Sequence, residues 1–410
     1  MKYLLLLLAA AQSILAIRVG KRLLSTAGGE CIQPVKAQTT GAEQARISVI
    51  VPVLNEYTRL APCLGGLTTQ GEEVIEILVV DGGSHDGTQE LVGLYSQRDP
   101  RVRLLDASPI PAGWNGKAWG LQVGLKSARA GSDWILTIDA DVRPRPTLAR
   151  ALVIQARKAA LPALSVATLQ EIEGIGQGLL HPSLLTTLVY RFGIPGKVIR
   201  NVSAVQANGQ CFLFQRDVLE TLGGFTGVRD SICEDVTIAR ALVSAGYPVG
   251  FYEAGELVTA KMYTDWRDTW RNWTRSLPMH DRFSGGRTLL GWLEILLVQA
   301  LPLPLLFLLV MTNRRGRSDN DRTARQSTRY GTAPTVGTAP TVRQLMLLNG
   351  ILVVMRLGVL FGTARAYQRR PWSYWLSPLC DLPVAIQLGV SALRRRHTWR
   401  GRTLVRGGLS

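Results

Sequence analysis

Short apolar runs alternate with amphipathic stretches between residues 46 and 245, and this alternation predicts the architecture. Six runs read as strands: Ile47–Val53, Val74–Val80, Val102–Leu105, Trp134–Ile138, Ala163–Thr168 and Val205–Phe214. Helical sequence of about 10 to 15 residues separates the first four, which indicates right-handed βαβ units. We therefore predict an α/β domain built on a parallel sheet.

Longer apolar stretches lie at both ends of the chain. Leu4–Ile17 is unbroken and is followed by Arg18, Lys21 and Arg22. Basic residues behind the run favour a membrane anchor over residues 1–22 with the next domain in the cytoplasm. A secretory signal peptide is the alternative, since about 15 residues is short for a span. Residues 23–45 are small and polar and are predicted to be a linker.

The region 284–410 contains three more apolar stretches, Leu289–Met311, Leu345–Gly362 and Trp372–Leu393. Pro302 and Pro304 interrupt the first, which favours a broken, re-entrant hairpin that keeps the basic loops cytoplasmic. The loop 313–343 is polar, basic and repetitive, and is predicted to be disordered. Residues 174–200 are expected to be flexible or membrane-touching. The Trp- and Arg-rich stretch 264–282 suits either a membrane interface or a core helix.

The positive charge is concentrated at one end of the chain. Of the formal charge of +17, residues 313–410 contribute 17 Arg against three Asp, with no Lys or Glu. A near-neutral body with a basic, apolar tail indicates membrane contact, and no nucleic-acid partner is expected. The five cysteines show no C-x-x-C spacing, which favours reduced structural thiols.

Carboxylates follow two of the predicted strands. Asp81 follows Val74–Val80, and Asp139 and Asp141 follow Trp134–Ile138. Because the carboxyl ends of parallel strands line one crevice, these side chains are expected to face each other. A D-x-D pair provides oxygen ligands for Mg²⁺ or Mn²⁺, which would neutralise a diphosphate. A solvated surface turn is the alternative for an isolated pair.

Other charged residues are expected in the same crevice. Lys117 could offset phosphate charge, and Asp81 could accept hydrogen bonds from a nucleobase or ribose. Glu234 and Asp235 open a predicted helix that ends near Ala245. Each has a structural alternative, with Asp81 as a helix cap and Asp235 as a carboxylate that stabilises a helix N-terminus.

In this order the pieces resemble a family 2 glycosyltransferase of the GT-A fold, a Rossmann-like class of nucleotide-diphospho-sugar transferases. The matching segments are Val51–Glu56 (VPVLNE), Asp81–Thr88 (DGGSHDGT), Asp139–Asp141 (DAD), Gly223–Phe225 (GGF) and Glu234–Asp235. The resemblance implies a GT-A domain over residues 46–283 and inversion at the anomeric carbon. It places Pro52, Asn55, Glu56, Asp81, Lys117 and Asp139 at the donor, Asp139 and Asp141 on the metal, and Asp235 as general base.

The family's Q-x-x-R-W element departs here, because Asn272–Ser276 (NWTRS) keeps only Arg275. That departure argues against a processive synthase. The additional tail is similar to that of membrane-bound transferases for lipophilic acceptors. We therefore expect an integral membrane enzyme that moves one hexosyl or deoxyhexosyl group from a UDP- or GDP-sugar to a lipid-like hydroxyl. A carotenoid is the favoured acceptor, ceramide or hopanoid lipids are alternatives, and a catalytically idle membrane scaffold is the rival from another class.

Overall fold

A computed structural model describes residues 2–36, 45–276, 285–327, 340–393, 396–399 and 402–405, and the side chains of 3–36, 45–273, 285–314 and 342–393 among them. The helices are α1 Lys2–Thr26, α2 Tyr57–Thr68, α3 Thr88–Arg98, α4 Gly116–Ser127, α5 Leu148–Lys158, α6 Gly174–Phe192, α7 Arg216–Thr221, α8 Glu234–Ser244, α9 Trp266–Ser276, α10 Gly285–Glu294, α11 Pro302–Ser327, α12 Pro340–Thr363 and α13 Asp381–Leu393.

The strands are β1 Ile47–Val53, β2 Val74–Asp81, β3 Val102–Asp106, β4 Trp134–Ile138, β5 Val142–Pro144, β6 Ala163–Ala167, β7 Leu169–Gln170, β8 Lys197–Ile199, β9 Cys211–Gln215, β10 Val249–Glu253, β11 Val258–Ala260, β12 Arg396–Trp399 and β13 Arg402–Val405. A π-helix over Ile295–Ala300 continues α10, and a 3₁₀ segment over Trp372–Cys380 leads into α13.

Eight strands form the central sheet in the order β3-β2-β1-β4-β9-β6-β10-β8. The four amino-terminal strands are parallel, as predicted, and Val53 of β1 pairs with Asp81 of β2. The carboxyl ends of β1, β2 and β4 therefore meet at one edge, which is where Asp139 and Asp141 begin the next loop.

The rest of the central sheet is mixed, so the parallel arrangement inferred for the first strands does not extend across it. Strand β9 runs antiparallel to both β4 and β6, and β8 runs antiparallel to β10. The predicted strand Val205–Phe214 is also too long at its start, because pairing begins only at Cys211. The antiparallel β9 brings the residues before Cys211 beside Asp139.

Two apolar layers cover the faces of this sheet. Leu60, Leu64 and Leu67 of α2 pack with α5 on one face, and Leu121 and Leu125 of α4 pack with α8 on the other. A second sheet of three short strands, β5-β11-β7, lies beside the main one and was not predicted. With three, three and two residues, these strands are too short to give a hydrophobic periodicity.

The segment 174–200, predicted to be flexible or membrane-touching, is mostly the regular helix α6 followed by β8. Helix α6 packs against α9, α13 and the 3₁₀ segment before α13, and Tyr190 is fully buried. The Trp- and Arg-rich stretch 264–282 was expected to be either a core helix or a membrane-interface helix, and its tryptophans differ in burial. Trp273 of α9 is buried with Leu180 and Leu184 of α6, whereas Trp266 is exposed.

The first helix is longer than the predicted anchor and extends into the predicted linker, ending at Thr26. Residues 3–26 are long and apolar enough to cross a membrane. Gln12 of α1 exchanges hydrogen bonds of 3.0 and 3.2 Å with Asn349 of α12, and both side chains are buried. Interhelical amide pairs of this kind hold helices together where water is absent. The rest of the linker over 37–44 lies outside the described residues.

Two further helical segments within the described residues could span a membrane, Val342–Ala366 and Trp372–Leu393. The stretch interrupted by Pro302 is bent by 46° between Gly285–Ala300 and Pro302–Arg314, as the prolines indicated; its hairpin topology stays a prediction.

The prediction that residues 313–343 are disordered is wrong for the first half of that loop, because α11 continues to Ser327. Residues 328–339 lie outside the described part.

Candidate active site

Three charged residues from different loops meet at the carboxyl edge of the sheet. The Lys117 ammonium lies 2.7 Å from Oδ1 of Asp139 and 2.8 Å from Oε1 of Glu234. Burial alone would lower the pKa of Lys117, but Asp139, Glu234 and Asp235 raise it well above its usual value. Lys117 is therefore cationic at every physiological pH and ties α4 to β4 and α8.

Local sequence fixes Lys117 in this position. Asn115 caps α4, and its Oδ1 accepts a hydrogen bond of 3.0 Å from the Lys117 backbone amide. The Asn115 Nδ2 donates to the Ser231 carbonyl at 2.8 Å, which joins the start of α4 to the loop before α8. Gly209 lies against the same cluster, since a Cβ there would stand 2.9 Å from Nζ of Lys117. The sequence analysis did not identify Gly209.

Asp141 is a half-buried carboxylate at the same edge of the sheet. Its Oδ1 is buried without a hydrogen-bond partner. Burial, and then repulsion from Asp139, raise the pKa of Asp141 to about 7, although Arg59 and Lys117 oppose the shift. An unpaired carboxylate oxygen beside a second carboxylate fits a missing cation. No group of three His, Cys, Asp or Glu suited to a metal occurs among the described residues, so the assignment of Asp139 and Asp141 to a metal stays a prediction.

Asp235 occupies the first turn of α8. Its Oδ2 accepts a hydrogen bond of 2.7 Å from the Gly209 amide, and its Oδ1 accepts one of 2.7 Å from the Val236 amide. Burial and the neighbouring Glu234 raise the pKa of Asp235 to about 7, while Lys117 and the two amides work in the opposite direction. A carboxylate with a pKa near neutrality is suited to general-base work.

Asp81 is placed differently from its neighbours. It is 1% exposed, and its carboxylate accepts hydrogen bonds from Ser84 and from Nε2 of Gln89. These bonds hold the loop between β2 and α3, so Gly82 lines the crevice in its place. Contact between Asp81 and a nucleotide stays a prediction.

Residues of the VPVLNE segment also differ in whether they line the crevice. Pro52 and Glu56 line the crevice, and Glu56 is paired with Arg59 at 2.9 Å. Asn55 has a positive φ of 54°, and its Oδ1 accepts a hydrogen bond of 2.9 Å from the His85 amide. Asn55 therefore positions the Asp81 loop rather than facing the crevice.

A patch of uncharged polar side chains, missed from the sequence, lies next to Asp139. Thr168 donates to Oε1 of Gln210 at 2.6 Å, and Nδ2 of Asn208 donates to the same atom at 3.2 Å. The Gln210 carbonyl accepts a hydrogen bond of 3.1 Å from the Asp139 amide. These residues sit in loops that precede or follow short strands, where no periodicity marks them.

The charged cluster and the polar patch open into one cavity of about 1480 Å³. At one end it is lined by Lys117, Asp139, Asp141 and Asp235. At the other end it is lined by apolar residues of α1, α6 and α12, which are Leu23, Leu24, Leu184, Leu185, Leu188, Ile351, Val354, Met355 and Val359. A single space therefore joins the carboxylates to α6 and to α1 and α12, and the last two are apolar enough to cross a membrane.

Residues 48–223 match the sequence profile of the family described as glycosyl transferase family 2. This match covers less than half of the chain and supports the predicted glycosyltransferase class for these residues. The match together with the sheet confirms the α/β, GT-A fold class. The match ends before Asp235, so the roles of the individual site residues stay predictions.

The chain is 24% identical over 235 residues to the probable glycosyltransferase YdaM of Bacillus subtilis, which covers 57% of this chain and 54% of the relative. It is 32% identical over 95 residues to the glycosyltransferase GlyG of Streptococcus pneumoniae, covering 23% and 30%. The chain thus spans about half the length of the first relative and less than a third of the second.

Among solved structures, the chain is similar to the mannosyltransferase PcManGT of Pyrobaculum calidifontis, which was solved in complex with GDP-Man and Mn²⁺. That likeness has 17% identity and a TM-score of 0.49, and it covers 96% of this chain and 98% of the other. A glucosyl-3-phosphoglycerate synthase of Mycobacterium tuberculosis, solved with Mn²⁺ and UDP, is 18% identical with a TM-score of 0.37, covering 56% and 78%.

Proposed function

We propose that this protein is a membrane-bound glycosyltransferase that moves one sugar from a nucleotide-diphosphate sugar to a hydroxyl of a lipophilic acceptor. The continuous cavity is the observation that supports it, because the charged end suits a diphosphate and the apolar end suits an acyl or isoprenoid chain. The catalytic domain is proposed to face the cytoplasm, where nucleotide-sugars are made.

The donor is proposed to bind over the carboxyl edge of β1 and β4. Asp139 and Asp141 would hold Mg²⁺ or Mn²⁺, which would neutralise charge on the departing diphosphate. The unpartnered Oδ1 of Asp141 supports this assignment, and Lys117 would release part of its contact with Asp139 toward a phosphate oxygen. Pro52 and Glu56 would contact the nucleotide from β1 and α2.

Asp235 is proposed to take the acceptor proton. The acceptor oxygen attacks the anomeric carbon as the bond from that carbon to the diphosphate oxygen breaks. The proton of the attacking hydroxyl passes to Asp235, and the nucleoside diphosphate leaves on the opposite face, which inverts the anomeric centre. The backbone amides of Gly209 and Val236 orient the carboxylate for this transfer.

The acceptor chain is proposed to lie between α1, α6 and α12. Leu188 and Val354 are among the apolar residues on this path, which allows a lipid to reach the site without passing through water. A carotenoid fits such a groove, and ceramide or hopanoid lipids are alternatives that the same groove suits.

The test supplies the full-length protein in its own membranes with radiolabelled UDP-sugars and GDP-sugars in separate reactions with Mn²⁺. We expect label from one donor series to enter the organic-solvent-soluble lipid fraction. A catalytically idle scaffold predicts no transfer of label from any donor. Label that appears only in a water-soluble glycoside would contradict the lipophilic acceptor.

A further inference from the structure

Three of the basic side chains that line the cavity are paired with carboxylates. Lys117 contacts Asp139 and Glu234. Arg59 pairs with Glu56 at 2.9 Å, and Arg365 pairs with Glu253 at 2.8 Å. In these pairs the carboxylates offset the positive charge of the basic side chain.

Arg191, at the end of α6, differs from them. It lines the cavity, but no ion pair joins it to the part of the chain that the structure describes, and its Nη1 is buried without a hydrogen-bond partner. Its guanidinium carbon lies 4.7 Å from the centroid of the Phe192 ring, which holds the group in place without neutralising it. A buried cation without a partner is costly, and such a group commonly serves a ligand.

The surroundings of Arg191 are also positive. Arg240 of α8 lines the same part of the cavity. The carboxylate whose charge acts on Arg191 is that of Glu294. Glu294 already forms ion pairs with Arg18 at 3.0 Å and with Arg22 at 2.9 Å. Burial, and then the proximity of Arg240, lower the pKa of Arg191 to about 10. Arg191 is still charged at neutral pH, and an anion would relieve this repulsion.

Arg191 and Arg240 belong to two helices that line the cavity with different chemistry, since α6 contributes apolar residues and α8 contributes Asp235. Arg240 follows Asp235 by five residues on α8, which is about 7.5 Å along a helix axis. Leu23, Leu24 and Val189 line the cavity on the side of the apolar groove. A group bound here would therefore lie one headgroup length from the proposed base and at the start of the acceptor chain.

We propose that Arg191, with Arg240 beside it, binds an acidic group of the acceptor, a phosphate or carboxylate carried next to the hydroxyl that receives the sugar. The inference rests on the proposed function and narrows its acceptor to an acidic lipid alcohol. It thereby disfavours carotenoids and hopanoids, which carry no such group. The donor diphosphate is the other possible source of an anion, and it belongs at the Asp139 end beside Lys117.

The test measures equilibrium binding of radiolabelled decyl phosphate and decanol, below their micellar concentrations, to the full chain in phosphatidylcholine nanodiscs. The variants are Arg191→Gln, Arg191→Lys and the matched control Arg365→Gln, which alters an ion-paired arginine of the same cavity. UDP and GDP affinities are measured by calorimetry with Mn²⁺ on the same samples, which also checks that each variant is folded.

We expect the wild type to prefer decyl phosphate over decanol. Arg191→Gln should weaken decyl phosphate binding at least about tenfold, the loss of one charge-assisted hydrogen bond. Arg191→Lys should keep part of the preference, and Arg365→Gln and all nucleotide affinities should be unchanged.

The proposal is overturned if the wild type binds decanol as tightly as decyl phosphate, which is decisive even if Arg191→Gln fails to fold. It is also overturned if Arg191→Gln weakens UDP or GDP and spares decyl phosphate, or if inorganic phosphate competes as well as decyl phosphate does. Failure of the proposed function is separate: it would appear as wild-type protein that transfers no label from any nucleotide-sugar while still binding decyl phosphate through Arg191.

Discussion

Two aspartates, Asp141 and Asp381, show how differently one residue type is used in this molecule. Asp381 begins α13 and is 1% exposed. Its Oδ1 accepts hydrogen bonds from Ser183 at 2.5 Å, Gln299 at 2.9 Å and Arg356 at 3.1 Å, and its Oδ2 accepts one from Nε of Arg356 at 2.8 Å. Asp141 has an Oδ1 with no partner and opens into the cavity.

The two carboxylates differ in their hydrogen-bond partners. The partners of Asp381 come from α6, the π-helix and α12, so its charge joins helices where water is scarce. Oδ1 of Asp141 has no hydrogen-bond partner among the described residues, so this oxygen is available to a ligand. A satisfied buried charge therefore indicates architecture, and an unsatisfied one that faces a cavity indicates a site.

The largest effect is expected for Asp141→Ala. Loss of a metal ligand should remove several kcal/mol of transition-state stabilisation, which slows transfer by about a thousandfold or more. Folding should be unaffected, because Oδ1 makes no internal bond. Transfer is measured at saturating Mn²⁺, with Asp106→Ala, an exposed aspartate at the end of β3, as control. Near wild-type transfer by Asp141→Ala would refute the metal assignment.

Asp235→Asn should lower kcat by roughly 10² to 10⁴, the usual contribution of a positioned base. The amide keeps the size of the side chain and one acceptor for the Gly209 amide. Nucleotide affinity, measured by calorimetry, should change little. If nucleotide affinity collapses while bound substrate still turns over, Asp235 is a binding residue and Glu234 becomes the candidate base.

Asp381→Asn should act on stability and leave the chemistry intact. Removing one partner from a buried ion pair strands the other charge, here Arg356, and typically costs about 3 to 5 kcal/mol. Thermal unfolding in nanodiscs should show the loss, with kcat per folded molecule unchanged. An Asp381→Asn protein that is stable but inactive would contradict the structural role of Asp381.

The pH profile should show the smallest effect. Because burial and Glu234 raise the pKa of Asp235 to about 7, the base is increasingly protonated below that pH. At saturating Mn²⁺ and substrates, kcat should fall about tenfold per pH unit on the acid side and level off above neutrality. Asp235→Asn should lose this dependence; if the acid limb persists in that variant, another group is titrating.

The donor half of the site was readable from the sequence because its residues follow long, buried strands. Asp139 and Asp141 come directly after β4, and an apolar run of five residues marks that strand. Gly209 and Gln210 were missed because they precede the antiparallel β9, whose direction depends on pairing with strands far away in sequence. Local pattern contains no information on such pairing.

For the apolar part of the cavity, the sequence predicted only separate apolar stretches. Hydropathy marks α1 and α12, but their contact depends on Gln12 and Asn349, two residues that a sequence pattern treats as isolated polar positions. The groove between α1, α6 and α12 arises from how these helices pack, so it could not be predicted. Arg191 likewise stands at the end of a helix that the sequence did not identify.

The central claim, that one cavity connects donor and lipid, is tested most directly by filling its apolar end. Gly358 and Gly350 both lie on α12 with open space around their Cα atoms, but only Gly358 lines the cavity. Radiolabel transfer into the lipid fraction is compared for Gly358→Trp and Gly350→Trp, with nucleotide affinity measured alongside. We predict that Gly358→Trp loses most lipid transfer, that Gly350→Trp keeps it, and that both bind nucleotide as the wild type does. Equal lipid transfer by the two variants would contradict the account.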